Sequence, residues 1–229
     1  MWTEKQAHQN SVENDPVANI MTCVGDIFRC ALDETSPLDQ EKSKIISLAR
    51  QYKDRLDRSR RIYVQERPAA LANFRDLEYS IRSEVAQYFA ISLGSIYFCG
   101  SAQLGFSVHK NRLFSPGISD LDIACVSGPL FQSAWKDAAE VTRAFSDPTK
   151  FSGRPEETAE LFKDQLVKRG LIRVSTMPRS ETSSEWQRFE AYLSRKHAAH
   201  FGRISFAIYI NEYAFCWKQD SVISALLTG

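Results

Sequence analysis

Two aspartates one residue apart, Asp120 and Asp122, interrupt an otherwise apolar run, SDLDIACV. Residues i and i+2 of a strand point to the same face. The two carboxylates are therefore expected side by side, with Leu121 and Ile123 facing a core. Carboxylates held that close repel each other unless a cation lies between them. Such a pair suits Mg²⁺, a hard cation that takes oxygen ligands and is often shared with a substrate's phosphates. Upstream, a second apolar run from Ile96 to Cys99 stops at Gly100-Ser101. A turn of that kind, followed by a short helix, offers bare backbone N–H groups and a hydroxyl to a phosphate. Together these residues describe a nucleoside triphosphate (NTP) site, with a phosphate grip on one strand end and a metal pair on the next. The alternative is a surface hairpin with solvated aspartates, which gives no reason for a strand to end in Gly-Ser.

The Gly100-Ser101 turn followed by Ser119-Asp120-Leu121-Asp122-Ile123 resembles the signature of the polymerase-β-like nucleotidyltransferase superfamily. The resemblance implies an α+β fold, a mixed β-sheet flanked by helices. It also implies Mg²⁺-dependent transfer of a nucleoside monophosphate from an NTP to an acceptor hydroxyl. Carried over, Gly100 and Ser101 hold the terminal phosphates, Asp120 and Asp122 hold Mg²⁺, and Ser119 belongs to the nucleotide-binding stretch. Eighteen residues separate Ser101 from Asp120, more than is usual in that superfamily, so 110–118 reads as an inserted loop. Lys110 and Arg112 in that loop either neutralise the triphosphate or face solvent.

The resembled superfamily usually places a third carboxylate on a later strand, facing the first two. The counterpart here is RISFAIYI, residues 203–210, which carries Ser205, Ala207 and Tyr209 on one face and no acid. Ser205 therefore stands at a degenerate third-ligand position. The other candidate strand, LIRVSTM, carries Arg173, and Glu212 lies just past the end of the last strand. Losing a general base costs about 10²–10⁴ in rate. Two readings follow. One is a Mg²⁺-dependent nucleotidyltransferase. The other is a catalytically degenerate nucleotide-binding or regulatory subunit that acts through protein contacts, like the bacterial toxin–antitoxin and phage-defence components that chains of this size resemble. No residue pattern names the base or the acceptor.

Composition bounds the rest. With 229 residues and 43% hydrophobic content, the chain can bury one sizeable core. Lys+Arg 29 against Asp+Glu 28 gives a formal charge of +1, so any nucleic-acid contact must rest on a local patch. The five cysteines form no CxxC pair, which suits reduced thiols and a cytoplasmic setting. No run is long and apolar enough for a membrane helix, and the N-terminus lacks the order of a signal peptide.

The elements that must position the site are read from periodicity. Residues 1–36 form a polar segment and an amphipathic helix, with Val17, Ile20, Met21, Val24, Ile27, Phe28 and Ala31 at helical spacing. That stripe over 17–31 either covers its own core or docks on a cognate protein. Residues 37–229 form the main domain, with a helical lead-in over 38–90 and a sheet core over 93–229. Residues 38–65 are expected as one long helix whose Arg55, Arg58, Arg60 and Arg61 either meet a phosphate backbone or form a solvated face paired to Asp54 and Asp57. A second helix spans about 69–90. Beyond the aspartates, helices follow Ser127-Gly128-Pro129 and Pro155, and Gly170 sits where a left-handed cap belongs. LIRVSTM alternates as a strand. Thr182-Ser183-Ser184-Glu185 reads as a capping box for a helix ending at Gly202, on which His197 and His200 are packing or surface residues. A closing helix covers Tyr213 to Leu227.

Overall fold

The computed structural model describes residues 35–228. The apolar stripe over 17–31 lies outside the described residues. The chain divides between Ser36 and Pro37, and the second unit holds every element named below. The architecture is α+β: a mixed four-stranded sheet with helices on both faces.

The lead-in comprises α1 (Pro37–Arg50), α2 (Arg55–Ser59) with a π-helical turn over Arg60–Gln65, and α3 (Arg75–Phe89). Strand β1 (Ile96–Cys99) runs into a short helix, α4 (Gly100–Leu104). A small hairpin, β2 (Phe106–Ser107) and β3 (Arg112–Leu113), precedes β4 (Leu121–Val126). Then come α5 (Gly128–Val141), α6 (Pro155–Arg169), β5 (Leu171–Arg173), α7 (Glu181–Lys196), β6 (Ile204–Tyr209) and α8 (Glu212–Thr228).

The sheet order is β1-β4-β6-β5. β1 lies antiparallel to β4 with Cys99 opposite Asp122, while β4 lies parallel to β6 with Asp122 opposite Ser205. β5 pairs antiparallel with β6, Arg173 opposite Ala207. The period of two sorts the side chains. Leu121, Ile123, Cys125, Ile204, Phe206 and Ile208 face a core built with α3, α5, α6 and α7. Ala124 and Tyr209 face the opposite layer, where α1, the π-helical turn and α8 supply Ile45, Ile62, Phe215 and Ile223.

Several helix ends follow their local chemistry. Ser127 caps α5, its hydroxyl accepting the Leu130 N–H. Gly170 ends α6 at φ 55°, and a Cβ there would lie 2.8 Å from Ile210 Cγ2. Only glycine meets both demands.

The structure corrects four expectations. The helix over 38–65 is broken, because Asp54 turns its carboxylate back on the Leu56 and Asp57 N–H groups and caps a new helix. LIRVSTM is a strand only through Arg173, after which Val174–Thr176 forms a 3₁₀ turn. The capping box lies two residues earlier than expected, with Ser180 and Ser183 bonding reciprocally. The helix ends at Lys196, not at Gly202. Beyond it, His197 is buried, and the His200 ring packs 5.3 Å from that of Phe74.

The arginine cluster is paired to acids, two of which, Glu212 and Asp220, lie far away in the chain. Arg55 and Arg58 donate from Nε to opposite oxygens of Asp220 on α8, at 2.7 and 2.5 Å. Arg60 reaches Glu212 at 2.7 Å and Asp57 at 3.2 Å, while Arg61 pairs with Glu66. The Asp220 side chain is fully buried. Burial alone would raise its pKa, but the bonds from Arg58, Arg55 and Ser224 hold it below the usual value. Removing one partner of a buried ion pair strands the other. Asp220→Ala is therefore expected to lower unfolding stability by about 3–5 kcal/mol in urea denaturation, whereas Asp57→Ala should change it by less than about 1 kcal/mol.

Candidate functional site

One cleft gathers the residues singled out from the sequence. It has a volume of about 290 Å³, and Gly100, Ser101, Lys110, Arg112, Ser119, Asp120, Asp122 and Ser205 all line it. The volume sits at the low end of small-molecule sites.

The elbow after β1 comes first. Cys99 ends the strand in extended backbone and Gly100 turns to φ 61°, opening α4. A Cβ on Gly100 would lie 2.8 Å from Oδ2 of Asp122, so this position needs glycine for both its backbone and its neighbour. The antiparallel register sets that approach, since Cys99 lies directly opposite Asp122. The first N–H groups of α4 lack intrahelical acceptors and belong to the wall of the cleft.

Asp122 stands half-buried on β4, while Asp120 sits exposed just before the strand begins. Ser205, opposite Asp122 on β6, donates its hydroxyl to Oδ1 at 2.7 Å. That leaves Oδ2 towards the elbow. Two carboxylates and a hydroxyl line one water-accessible cleft, and oxygen donors are the kind a hard cation takes. The set is thinner than three acids: among the described residues, no group of three His, Cys, Asp or Glu side chains is placed to hold a metal ion. Glu212 is not a substitute, because it opens α8 and pairs with Arg60.

The loop residues divide. Lys110 and Arg112 reach the cleft from the exposed β2–β3 hairpin, whose tip turns at Asn111 with φ 47°. The loop over 110–118 is thus partly ordered as a hairpin arm. Ser119 is buried and its hydroxyl accepts the Ser115 N–H at 3.0 Å, so it braces the approach to β4.

Sequence reasoning missed three contributors. Lys218 and Gln219 line the cleft from α8, and Arg173 does so from β5. Gln219 is buried and donates to Tyr209 Oη at 3.3 Å and Cys99 Sγ at 3.5 Å. Burial, then Arg173 and Arg169, lower the Lys218 pKa, partly offset by Cys99 and Asp122. The position of Lys218 before the buried pair Gln219-Asp220 was a signal, since a buried stripe containing two polar residues must face polar partners.

Glu190 does not line the cleft but supports the strand that carries Ser205. β5 covers β6 only over Leu171–Arg173, so the first half of β6 has an open edge. Two residues one helical turn apart on α7 close it: Glu190 accepts the Phe206 N–H at 2.7 Å, and Ser194 accepts the Ile204 N–H at 2.9 Å. The i,i+4 step of a helix matches the i,i+2 step of a strand, each about 6 Å. Nothing in the sequence marks Glu190 apart from other helical glutamates. Burial pushes its carboxyl up to about 7, with the charge of Asp122 adding to that and the Phe206 bond and Arg203 opposing it. A raised folded-state pKa gives stability that is present below the unfolded carboxylate value, about 4.3, and is lost as pH rises through about 7.

No family model, curated protein or solved structure matches this chain.

Glutamine retains an oxygen for the Phe206 N–H but cannot ionise. Glu190→Gln is therefore expected to match the parent protein in stability near pH 5 and exceed it by about 1–3 kcal/mol near pH 8. Denaturant titrations at the two pH values check this, and parallel curves for the two proteins would exclude Glu190 as the titrating group.

Proposed function

We propose that this protein binds a nucleoside triphosphate with Mg²⁺ in the cleft and transfers its nucleoside monophosphate to an acceptor hydroxyl. The observation that carries the reading is the fit of Gly100 against Asp122, so close that a Cβ would lie 2.8 Å from the carboxylate. A phosphate grip and a cation site this near to each other serve one ligand that offers both phosphate and metal oxygens.

In this reading Asp120 and the free oxygen of Asp122 hold Mg²⁺. The ion, when bound, withdraws charge from the phosphate oxygens and from the leaving pyrophosphate. The chain's own groups do the rest. The N–H groups of Gly100 and Ser101, with the Ser101 hydroxyl, orient the terminal phosphates. Lys110 and Arg112 balance their charge from the hairpin. Ser205 holds the Asp122 carboxylate in one rotamer through its 2.7 Å bond. Ser205 does not accept a proton near neutral pH, so the proton of the attacking hydroxyl passes to water or to the substrate.

A second reading rests on that same residue. A serine where a third carboxylate would stand suits a protein that keeps Mg²⁺-dependent nucleotide affinity without turnover. Such a subunit would act through a cognate protein, with the apolar stripe over 17–31 as its docking segment.

With labelled NTPs and Mg²⁺, the parent protein is expected to release pyrophosphate. Asp122→Asn should reduce the rate by at least about 10²-fold. Gly100→Ala should weaken Mg²⁺-dependent nucleotide binding as well, because the added methyl displaces the carboxylate. Equal release by the parent protein and Asp122→Asn removes the catalytic reading. Calorimetry then decides the second one: nucleotide heat that requires Mg²⁺ sustains it, and no heat with any NTP ends both.

A further inference from the structure

Five basic side chains line the cleft, and they fall into two groups. His109, Lys110 and Arg112 are exposed on the hairpin, beside the elbow. Arg173 and Lys218 are half-buried, on β5 and α8. The exposed group is solvated, and its charges need no partner. The half-buried pair is different. Among the described residues no carboxylate lies within 4.0 Å of either Arg173 or Lys218, whereas Arg55, Arg58, Arg60 and Arg61 each have an acid partner. Partial burial of a charge without a partner carries a cost, and these two line the same cleft.

The strands define where that wall lies. Asp122 and Ser205 face each other on β4 and β6, and Arg173 stands opposite Ala207, two residues further along β6. Ser205 and Ala207 are short, which leaves a hollow floor between the Asp122 carboxylate and the Arg173 guanidinium. Lys218 and Gln219 close that hollow from above. The elbow at Gly100 leaves from β1, at the opposite edge of the sheet from β5. Three inter-strand steps, about 14 Å, separate those edges. A triphosphate seated at the elbow places its charge on the hairpin side, and the sugar and base that follow are neutral. They give no reason for two half-buried cations without a carboxylate partner at the far end. Burial, then Arg173 and Arg169, disfavour the charged form of Lys218, and Cys99 and Asp122 only partly offset this.

We propose that Arg173 and Lys218 form a second phosphate-binding subsite, one that needs no metal and receives the phosphate of a nucleotide acceptor. The acceptor is then a nucleotide that brings its own phosphate, not a protein hydroxyl. Identifying the ligand as an acceptor rests on the nucleotidyl-transfer reading above. The existence of the phosphate subsite does not.

The test uses the full chain in EDTA, with a nucleoside 5′-monophosphate and inorganic phosphate as probes in calorimetry. The parent protein is expected to bind the monophosphate without Mg²⁺. Arg173→Gln and Lys218→Met should each weaken that binding by at least about 10-fold, and Lys218→Arg, which keeps the charge, should restore most of it. Thermal unfolding of each variant confirms that it is folded, and the retained binding of Lys218→Arg guards against a merely structural effect. In Mg²⁺ the monophosphate should bind alongside the NTP. Competition between them would instead assign the two cations to the triphosphate itself and overturn the acceptor subsite. Absence of metal-free binding, or binding indifferent to both substitutions, overturns the subsite altogether. Metal-free monophosphate binding by a protein that ignores Mg²⁺ and NTP would keep the subsite and refute the transfer reading.

Discussion

The parallel pairing of β4 with β6 is the constraint on which the rest depends. It joins residues 83 positions apart in the chain, and the bond from Ser205 to Asp122 marks its register. Parallel strands cannot be joined by a tight turn, so the chain between them must cross over and pack somewhere. Here that intervening chain supplies α5, α6, β5 and α7, which bury one face of the sheet and finish its edge. A slip of one residue in β6 would turn Ser205, Ala207 and Tyr209 towards the apolar layer and bring Phe206 and Ile208 into the cleft. The Phe206 N–H would also lose Glu190. The apolar side of the pairing therefore determines where the polar side presents its groups.

The other face is closed by α8, whose buried stripe is not wholly apolar. Phe215, Cys216 and Ile223 share it with Gln219 and Asp220. Asp220 is satisfied by Arg55 and Arg58 from α2, which fixes the helix in rotation about its axis. Gln219 is satisfied by Tyr209 and Cys99. Two polar residues with separate partners determine the helix orientation more narrowly than apolar packing does. The consequence is that Lys218 faces the cleft. A charge cluster that reads as surface decoration thus holds in place the cationic roof of the candidate site.

Much of that site was legible from residues alone. The alternation in LDIACV placed Leu121 and Ile123 in the core, and they are buried there. Ile96–Cys99 did end at a glycine turn, where Gly100 takes a positive φ. Gly170 did cap its helix in the left-handed region. Asp54 was less transparent. It sat inside a run of good helical periodicity, and only its bonds to the N–H groups of Leu56 and Asp57 made it a start signal. Glu190 was not legible at all, because its role arises from an edge that β5 leaves uncovered.

The amino-acid sequence by itself determined β1, β4 and β6, the elbow and the side of β4 on which Asp122 stands, since these follow from a period of two and from the freedom of glycine. Only the tertiary structure decided which charges are paired. Arg55 and Arg173 look alike in the chain, yet one meets a buried carboxylate and the other faces a hollow. Pairing depends on contacts between residues far apart in sequence, and local periodicity carries no information about those.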